Sequence, residues 1–375
     1  MRVFGTGMPR AVHPLAWWAW AIGLAAAASV TTNPLLLALL IAVVCVVVAA
    51  RRTDHPWARS FRLYVWLAVV MVVIRVVFRI VFGGVDSGTV LIDLPEIGLP
   101  TWAAGIRLFG PITLEGLLAG FYDGLRLGTI VICVGAANSL ANPKRTLACL
   151  PPALYEVGTA LVVAVSVFPQ FADSARRVRA AQALRGGTGG RIRGLRRFVV
   201  PVLEDALERS LSLAASMDTR GYGRSGGATL RQRWLTGGLL LSALMGICLV
   251  AYAVLDPSSA TWPATPVLAG SLVLAAAGMH VAGRRVQRTR YRPDPWRGPE
   301  YVTLASGIAA GVLAHRVSTT QIEVAYPPLD QMPYLSLLAL AAGLIGVVPS
   351  LATPPPASPS RSVAKAPAAP ERVAA

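Results

Sequence analysis

Apolar runs close to the length needed to cross a bilayer recur along the chain, at residues 15–30, 34–50, 61–82, 113–137, 235–255, 267–282, 301–314 and 335–348. A spanning helix takes roughly 20 mostly apolar residues, somewhat fewer where helices are short or packed. The composition agrees: 54% of residues are hydrophobic and 14% charged, whereas a water-soluble domain needs roughly 25% charged residues to cover its surface. The expected fold class is therefore an all-α polytopic membrane protein with about eight transmembrane helices.

The charges orient these runs. Lys and Arg number 35 against 18 Asp and Glu, an excess that the positive-inside rule explains for a polytopic chain. No segment resembles a nucleic-acid module, and nucleic acid is not an expected partner. Arg51, Arg52, Arg59 and Arg62 place the connection after the second span in the cytoplasm, and with it the amino terminus. The Gly/Pro-rich stretch 83–111, with Asp86, Asp93 and Glu96 against Arg107, falls outside. Asn142-Pro143-Lys144-Arg145 returns to the inside. Residues 153–168 are apolar enough to cross, but a crossing would export the eight arginines between Arg176 and Arg197. Bracketed by Pro151-Pro152 and Pro169, this segment is expected to lie along or dip into the inner face. Arg284 to Arg297 mark a further cytoplasmic connection, and Glu323 and Asp330 an outer one. With eight spans the parity closes, and both termini are cytoplasmic in a multi-pass protein of the cell membrane.

Four divisions follow. Residues 1–137 form an N-terminal four-span region, 138–233 a cytoplasmic-face layer of amphipathic coupling helices, and 234–351 a C-terminal four-span region. The Pro/Ala-rich tail 352–375 is too poor in large apolar residues to fold and is expected to be disordered.

Catalytic machinery is absent from the sequence pattern. There is no phosphate loop of the form Gly-x-x-x-x-Gly-Lys-Ser/Thr, no His-Glu-x-x-His and no Gly-x-Ser-x-Gly. Aspartate-rich Mg²⁺-binding clusters are lacking too. Cys45, Cys133, Cys149 and Cys248 are scattered through or beside apolar runs, as are the four histidines, so no metal site is expected. Catalytic residues, metal ligands and bound cofactors are all expected to be none.

Ionisable residues inside spans are expensive and pair or serve function. Arg75 and Arg79 share one face of the third span; Glu115 and Asp123 share one face of the fourth, with Arg126 nearby. Arg79 and Glu115 lie roughly 5 Å and 3 Å from the outer ends of their helices, Arg75 and Asp123 roughly 11 Å and 15 Å. Antiparallel packing would match Arg79 with Glu115 and Arg75 with Asp123. The alternative is a polar face recognised by a partner within the membrane.

The most specific pattern is a repeat in the basic segment between the two groups of spans. Ala181-Gln182-Ala183-Leu184-Arg185-Gly186 and Ser216-Met217-Asp218-Thr219-Arg220-Gly221 each set a small residue four positions before an Arg that a Gly follows. Small residue and Arg share a helix face, and the Gly suits the left-handed position that ends a helix. Before the second copy, Leu203, Leu207, Leu211 and Ala214 form an apolar row, with Glu204, Asp205, Glu208 and Arg209 off it.

With these motifs on a cytoplasmic face between spans, the chain resembles the transmembrane coupling (T) component of energy-coupling factor (ECF) transporters, the family that includes the cobalt-transport membrane subunit. The resemblance covers roughly residues 13–255. It includes His13-Pro14-Leu15, Thr32-Asn33-Pro34-Leu35, Ser139-Leu140-Ala141-Asn142-Pro143-Lys144, Leu150-Pro151-Pro152 and Phe168-Pro169. Where that family often carries Ala before each Arg, this chain has Leu184 and Thr219, and Ser216 replaces the second small Ala. The resemblance implies an energy-coupling subunit of an ATP-driven micronutrient importer, for a vitamin or transition-metal ion. Its implied partners are two ATP-binding-cassette ATPase subunits, a substrate-binding membrane S component and the lipid bilayer. ATP and Mg would sit on the partner ATPases. Ala181, Arg185 and Gly186 would engage one ATPase, and Ser216, Arg220 and Gly221 the other.

Other readings of the same residues are arginines that bind lipid headgroups, a polytopic membrane enzyme acting on a lipid-linked substrate through Glu115 or Asp123, and a secondary transporter. The last usually carries repeated halves with broken helices, which the sequence does not display.

Overall fold

The computed structural model describes residues 10–53, 60–82, 88–95, 97–98, 107–184, 191–221, 229–255, 264–284 and 294–355. The sequence readings of Arg185, Gly186 and the tail from residue 356 lie outside the described residues. The helices are α1 (Pro14–Ser29), α2 (Pro34–Arg51), α3 (Phe61–Phe82), α4 (Leu114–Leu140), α5 (Pro143–Ala148), α6 (Tyr155–Leu184) and α7 (Arg191–Thr219). They continue with α8 (Leu230–Leu255), α9 (Ala264–Gly283), α10 (Gly298–Thr320), α11 (Ile322–Ala325), α12 (Leu337–Leu344) and α13 (Val348–Ala352). Two compact units result: Met1–Pro143 with Asp294–Ala375, and Lys144–Pro293. These units do not follow the four divisions read from the sequence, because the last helices return to the first ones.

In the first unit, local chemistry starts each helix. His13 caps α1, its Nδ1 accepting from Leu15 N at 3.3 Å, and Asn33 caps α2, its side-chain oxygen accepting from Leu35 N at 3.0 Å. Each cap is followed by a proline at the first helical position, where the missing N–H costs nothing. Trp20, Leu24, Leu37, Leu40, Val44 and Val47 are buried together in the core.

Glycine lets helix backbones meet. On α4, Gly120, Gly124 and Gly128 fall at intervals of four and so share a face. A Cβ on Gly124 would lie 2.8 Å from Val72 Cα, and one on Gly128 3.2 Å from Ala68 Cβ, so α3 rests directly on this face. A Cβ on Gly23 of α1 would meet the carbonyl oxygen of Gly307 at 2.2 Å, which fixes α10 against α1. Between α3 and α4, residues read as loop include two short antiparallel pairs: β1 (Val90–Asp93) with β4 (Pro111–Thr113), and β2 (Ile97–Gly98) with β3 (Arg107–Leu108).

Polar contacts bind the C-terminal elements into this unit. Glu300 is fully buried and pairs with Arg10 at 2.9 Å while accepting from Arg297 N at 3.1 Å. Asn33 Nδ2 donates to Val324 O and Tyr334 O at 2.7 and 2.9 Å, and Trp20 Nε1 to Gly346 O at 3.1 Å. Arg51 donates to the carbonyl of Ser350. Residues 294–355, for which the sequence suggests no function, thus serve as packing partner of α1 and α2.

In the second unit α6 packs on α7 and α8 on α9. Ser271 of α9 lies against Gly246 of α8, where a Cβ would come within 2.0 Å of its Oγ. Here the sequence expectation is corrected. Residues 153–168 are not a short segment bracketed by prolines: α6 is one helix of 30 residues that runs through Pro169. The helix-compatible basic run after Pro169 carries the backbone on past the hydrogen bond that the proline removes.

Six helices are long and apolar enough to cross a membrane: Pro34–Arg51, Phe61–Phe82, Leu114–Leu140, Glu156–Leu184, Leu230–Ala253 and Thr265–Gly283. Shorter apolar helices occupy Pro14–Ser29 and Leu337–Ala352. The protein is an all-α polytopic membrane fold.

The α1/α10 crossing is directly testable. Gly307→Val should destabilise the detergent-solubilised protein by about 1–3 kcal/mol or more, since overpacking displaces backbone. Gly237→Ala in α8, which has open space around it, should be neutral or slightly stabilising, by up to about 1 kcal/mol. Thermal unfolding checks both, and an unchanged midpoint for Gly307→Val would contradict the close approach.

Candidate docking site on a helix pair

The described residues of the two Arg-Gly motifs lie at the ends of two paired helices. Ala181 lies in the last turn of α6 and is exposed, and Leu184 at its end is 90% exposed. Arg185 and Gly186 follow outside the described residues. Ser216, exposed near the end of α7, turns its hydroxyl onto Leu213 O at 2.8 Å. Arg220 is exposed, its N–H bonded to Met217 O at 3.1 Å, and Gly221 N bonds Asp218 O at 2.9 Å. Gly221 has φ of 79°, the left-handed geometry in which glycine carries no Cβ penalty. The helix therefore ends at Thr219 and leaves Arg220 in the turn at its tip.

One acid of α7, Asp205, is used within the pair. Asp205 reaches Arg209 at 3.1 Å, on its own helix, and Arg177 of α6 at 4.0 Å. The Ser174 hydroxyl of α6, almost fully buried, also donates to the Asp205 carboxylate. These contacts, Ser174 first and Arg209 next, hold the carboxyl below its ordinary value of 3.8. The apolar row on α7 has no such cover: Leu203, Leu207 and Leu211 are 60%, 62% and 62% exposed. The pair thus spends Asp205 on internal contact and presents exposed leucines on a helix that ends at an exposed arginine. Sequence reading set Asp205 among the off-row polar residues without finding its partner. The i,i+4 spacing of Asp205 and Arg209 was visible; Ser174, 31 positions earlier, carried no local signal.

The intramembrane charges are arranged differently from the expected matching. Among the described residues no ion pair joins the α3 arginines to Glu115 or Asp123. Glu115 instead accepts from Thr89 N at 2.9 Å and Thr89 Oγ1 at 3.0 Å, beside β1. Arg126 donates to the carbonyl of Ser29. Arg75, Arg79 and Asp123 line one cavity together with Phe78, Phe82 and Gly120. Among the described residues no group of three His, Cys, Asp or Glu could hold a metal ion.

A depressed acid stabilises the folded state above its unfolded pKa and loses that contribution as pH falls through the depressed value. Asp205→Asn should therefore lower the unfolding midpoint at neutral pH, and the gap from wild type should close below about pH 4. A gap that persists unchanged at lower pH would show that the carboxylate is not the source.

No curated protein matches the chain. The family model described as cobalt transport protein, CbiQ, matches residues 8–232, more than half of the 375 residues. The matched segment contains α1 to α7 and both Arg-Gly motifs, so the docking pair lies within it. The chain belongs to the cobalt transport protein family, the T components of ECF transporters, and is a membrane component of a micronutrient transporter.

Proposed function

We propose that this protein is the membrane-embedded energy-coupling subunit of an ATP-driven importer for a vitamin or a transition-metal ion. Two ATP-binding-cassette ATPase subunits dock on the tips of α6 and α7, one at Arg185 and the other at Arg220. ATP and Mg remain on those subunits. A separate S component in the membrane binds the substrate, and this chain hydrolyses nothing and holds no cofactor.

The observation that carries the reading is the pairing of an arginine-tipped helix end with an uncovered leucine row on the same helix. A guanidinium presents several fixed donors to an acidic or carbonyl-lined groove, and the small residue one turn back lets the groove come close. The leucines supply apolar area. Asp205, held between Ser174 and Arg177 of α6, ties the two helices together. When ATP draws the two grooves together, the tips are pushed as a unit and the motion passes to the membrane helices and the S component.

The protein resides in the cell membrane with both termini in the cytoplasm. This orientation keeps the basic connections on one side. Helix α6 is long and apolar enough to cross, but a crossing would carry its basic end to the outer face, so we read it as lying at the inner face. That basic end, including Arg176 and Arg177, belongs there with the ATPases.

Affinity purification in mild detergent tests the assignment. Wild-type protein should bring ATP-binding-cassette subunits with it, and a folded Arg185→Glu/Arg220→Glu variant should lose them. A wild type that purifies with no ATPase, or a variant that retains it, would show that these arginines do not dock one.

A further inference from the structure

Arg75 and Arg79 of α3 and Asp123 of α4 line a cavity of about 330 Å³, together with Phe78, Phe82 and Gly120. Two cations face one anion there. Glu115, the other acid at this end of α4, is engaged by the backbone N–H and hydroxyl of Thr89. Arg126, the nearby cation of α4, is turned to Ser29. The described residues of the cavity thus retain one positive charge in excess.

The location makes that excess costly. Counting from Phe82, Arg79 and Arg75 lie about 5 Å and 11 Å from the end of α3, within a helix long and apolar enough to span a membrane. An uncompensated guanidinium at that depth is unfavourable unless it reaches the headgroup layer or meets an anion. Arg75 is exposed, so the cavity opens to the surroundings of the helix. Phe78 and Phe82 stack with ring centroids 5.2 Å apart and are 55% and 47% exposed, forming an apolar wall on the same side. Gly120 opens the floor: a Cβ there would lie 2.8 Å from Arg79 Cγ.

We propose that this cavity is a binding site for an anionic phospholipid. The two guanidiniums hold its phosphodiester, as planar donors do in paired recognition of phosphate oxygens. The stacked phenylalanines lie along the start of an acyl chain, and Asp123 restrains affinity by cancelling one of the two charges. A molecule with a phosphate headgroup of net negative charge and an apolar chain satisfies both the charge excess and the apolar wall, which neither inorganic phosphate nor a zwitterionic lipid does. The site is independent of the ATPase-docking reading, since it lies on other helices and asks nothing of the Arg-Gly ends.

The test is lipid retention by the full-length protein. Wild type, Arg75→Gln/Arg79→Gln and Asp123→Asn are reconstituted in mixed phosphatidylglycerol and phosphatidylcholine vesicles, then solubilised and separated by size exclusion. Retained lipid is quantified by mass spectrometry with and without excess inorganic phosphate. Wild type should retain phosphatidylglycerol over phosphatidylcholine. Retention should fall roughly fivefold for each arginine removed and rise in Asp123→Asn, and inorganic phosphate should not abolish it. Equal retention in wild type and the double variant would overturn the proposal. So would full displacement by inorganic phosphate, which marks a free-anion site. Loss of a co-purifying membrane protein from the double variant with unchanged lipid would assign the arginines to a partner's carboxylate instead. Should the double variant fail to fold, Asp123→Asn alone decides: retention no higher than wild type contradicts a lipid anion in this cavity.

Discussion

Helix backbones in this protein touch, and most of the first unit depends on that contact. In a bilayer the hydrophobic effect gives little reason for one apolar helix to prefer another over lipid, so association rests on close packing and buried polar bonds. Glycines supply the first at two crossings: Gly120, Gly124 and Gly128 under α3, and Gly23 facing Gly307 between α1 and α10. Buried hydrogen bonds supply the second, from Asn33, Thr31 and Trp20 to carbonyls about 300 residues further along the chain. The N-terminal hairpin and the C-terminal helices are therefore one packed body, although they are far apart in sequence.

Against that rigid background the charges sort by what they touch. Glu300 is satisfied by Arg10 and two backbone N–H groups, Glu115 by Thr89, and Asp205 by Ser174 and two arginines. These three acids are committed to holding the fold. Among the described arginines, Arg75 and Arg79 line a cavity near one end of α3, and Arg220 is exposed at the tip of α7. A chain with so large a cationic excess has arginines available for partners, and the fold exposes them beside apolar surface, Phe78 and Phe82 in one case and the α7 leucines in the other. That combination suits ligands with both an anionic and an apolar part.

Much of this was legible in the residues. The apolar runs, the break at Asn33-Pro34 and the Arg-Gly repeat are local patterns, and local patterns survive in a sequence. What failed was reasoning across distance. Matching Arg79 to Glu115 by depth ignored where each side chain points around its helix and ignored donors from the connecting segment, and Thr89 took the carboxylate. Reading Pro169 as a boundary gave too much weight to one missing hydrogen bond in a run that otherwise favours helix. The role of residues 294–352 could not be read locally, because Glu300 and Arg10 meet only once the chain has folded. The glycines of α4 were visible at intervals of four, but their partner helix was not.

Photo-crosslinking at Leu207 tests the central claim most directly, because it asks what covers the leucine row of α7 in the native membrane. With a benzophenone side chain at Leu207, illumination of intact membranes should yield an adduct containing an ATP-binding-cassette subunit, and ATP should change its yield. Adducts to phospholipid alone, at any nucleotide concentration, would contradict the account and make α7 a membrane-surface helix.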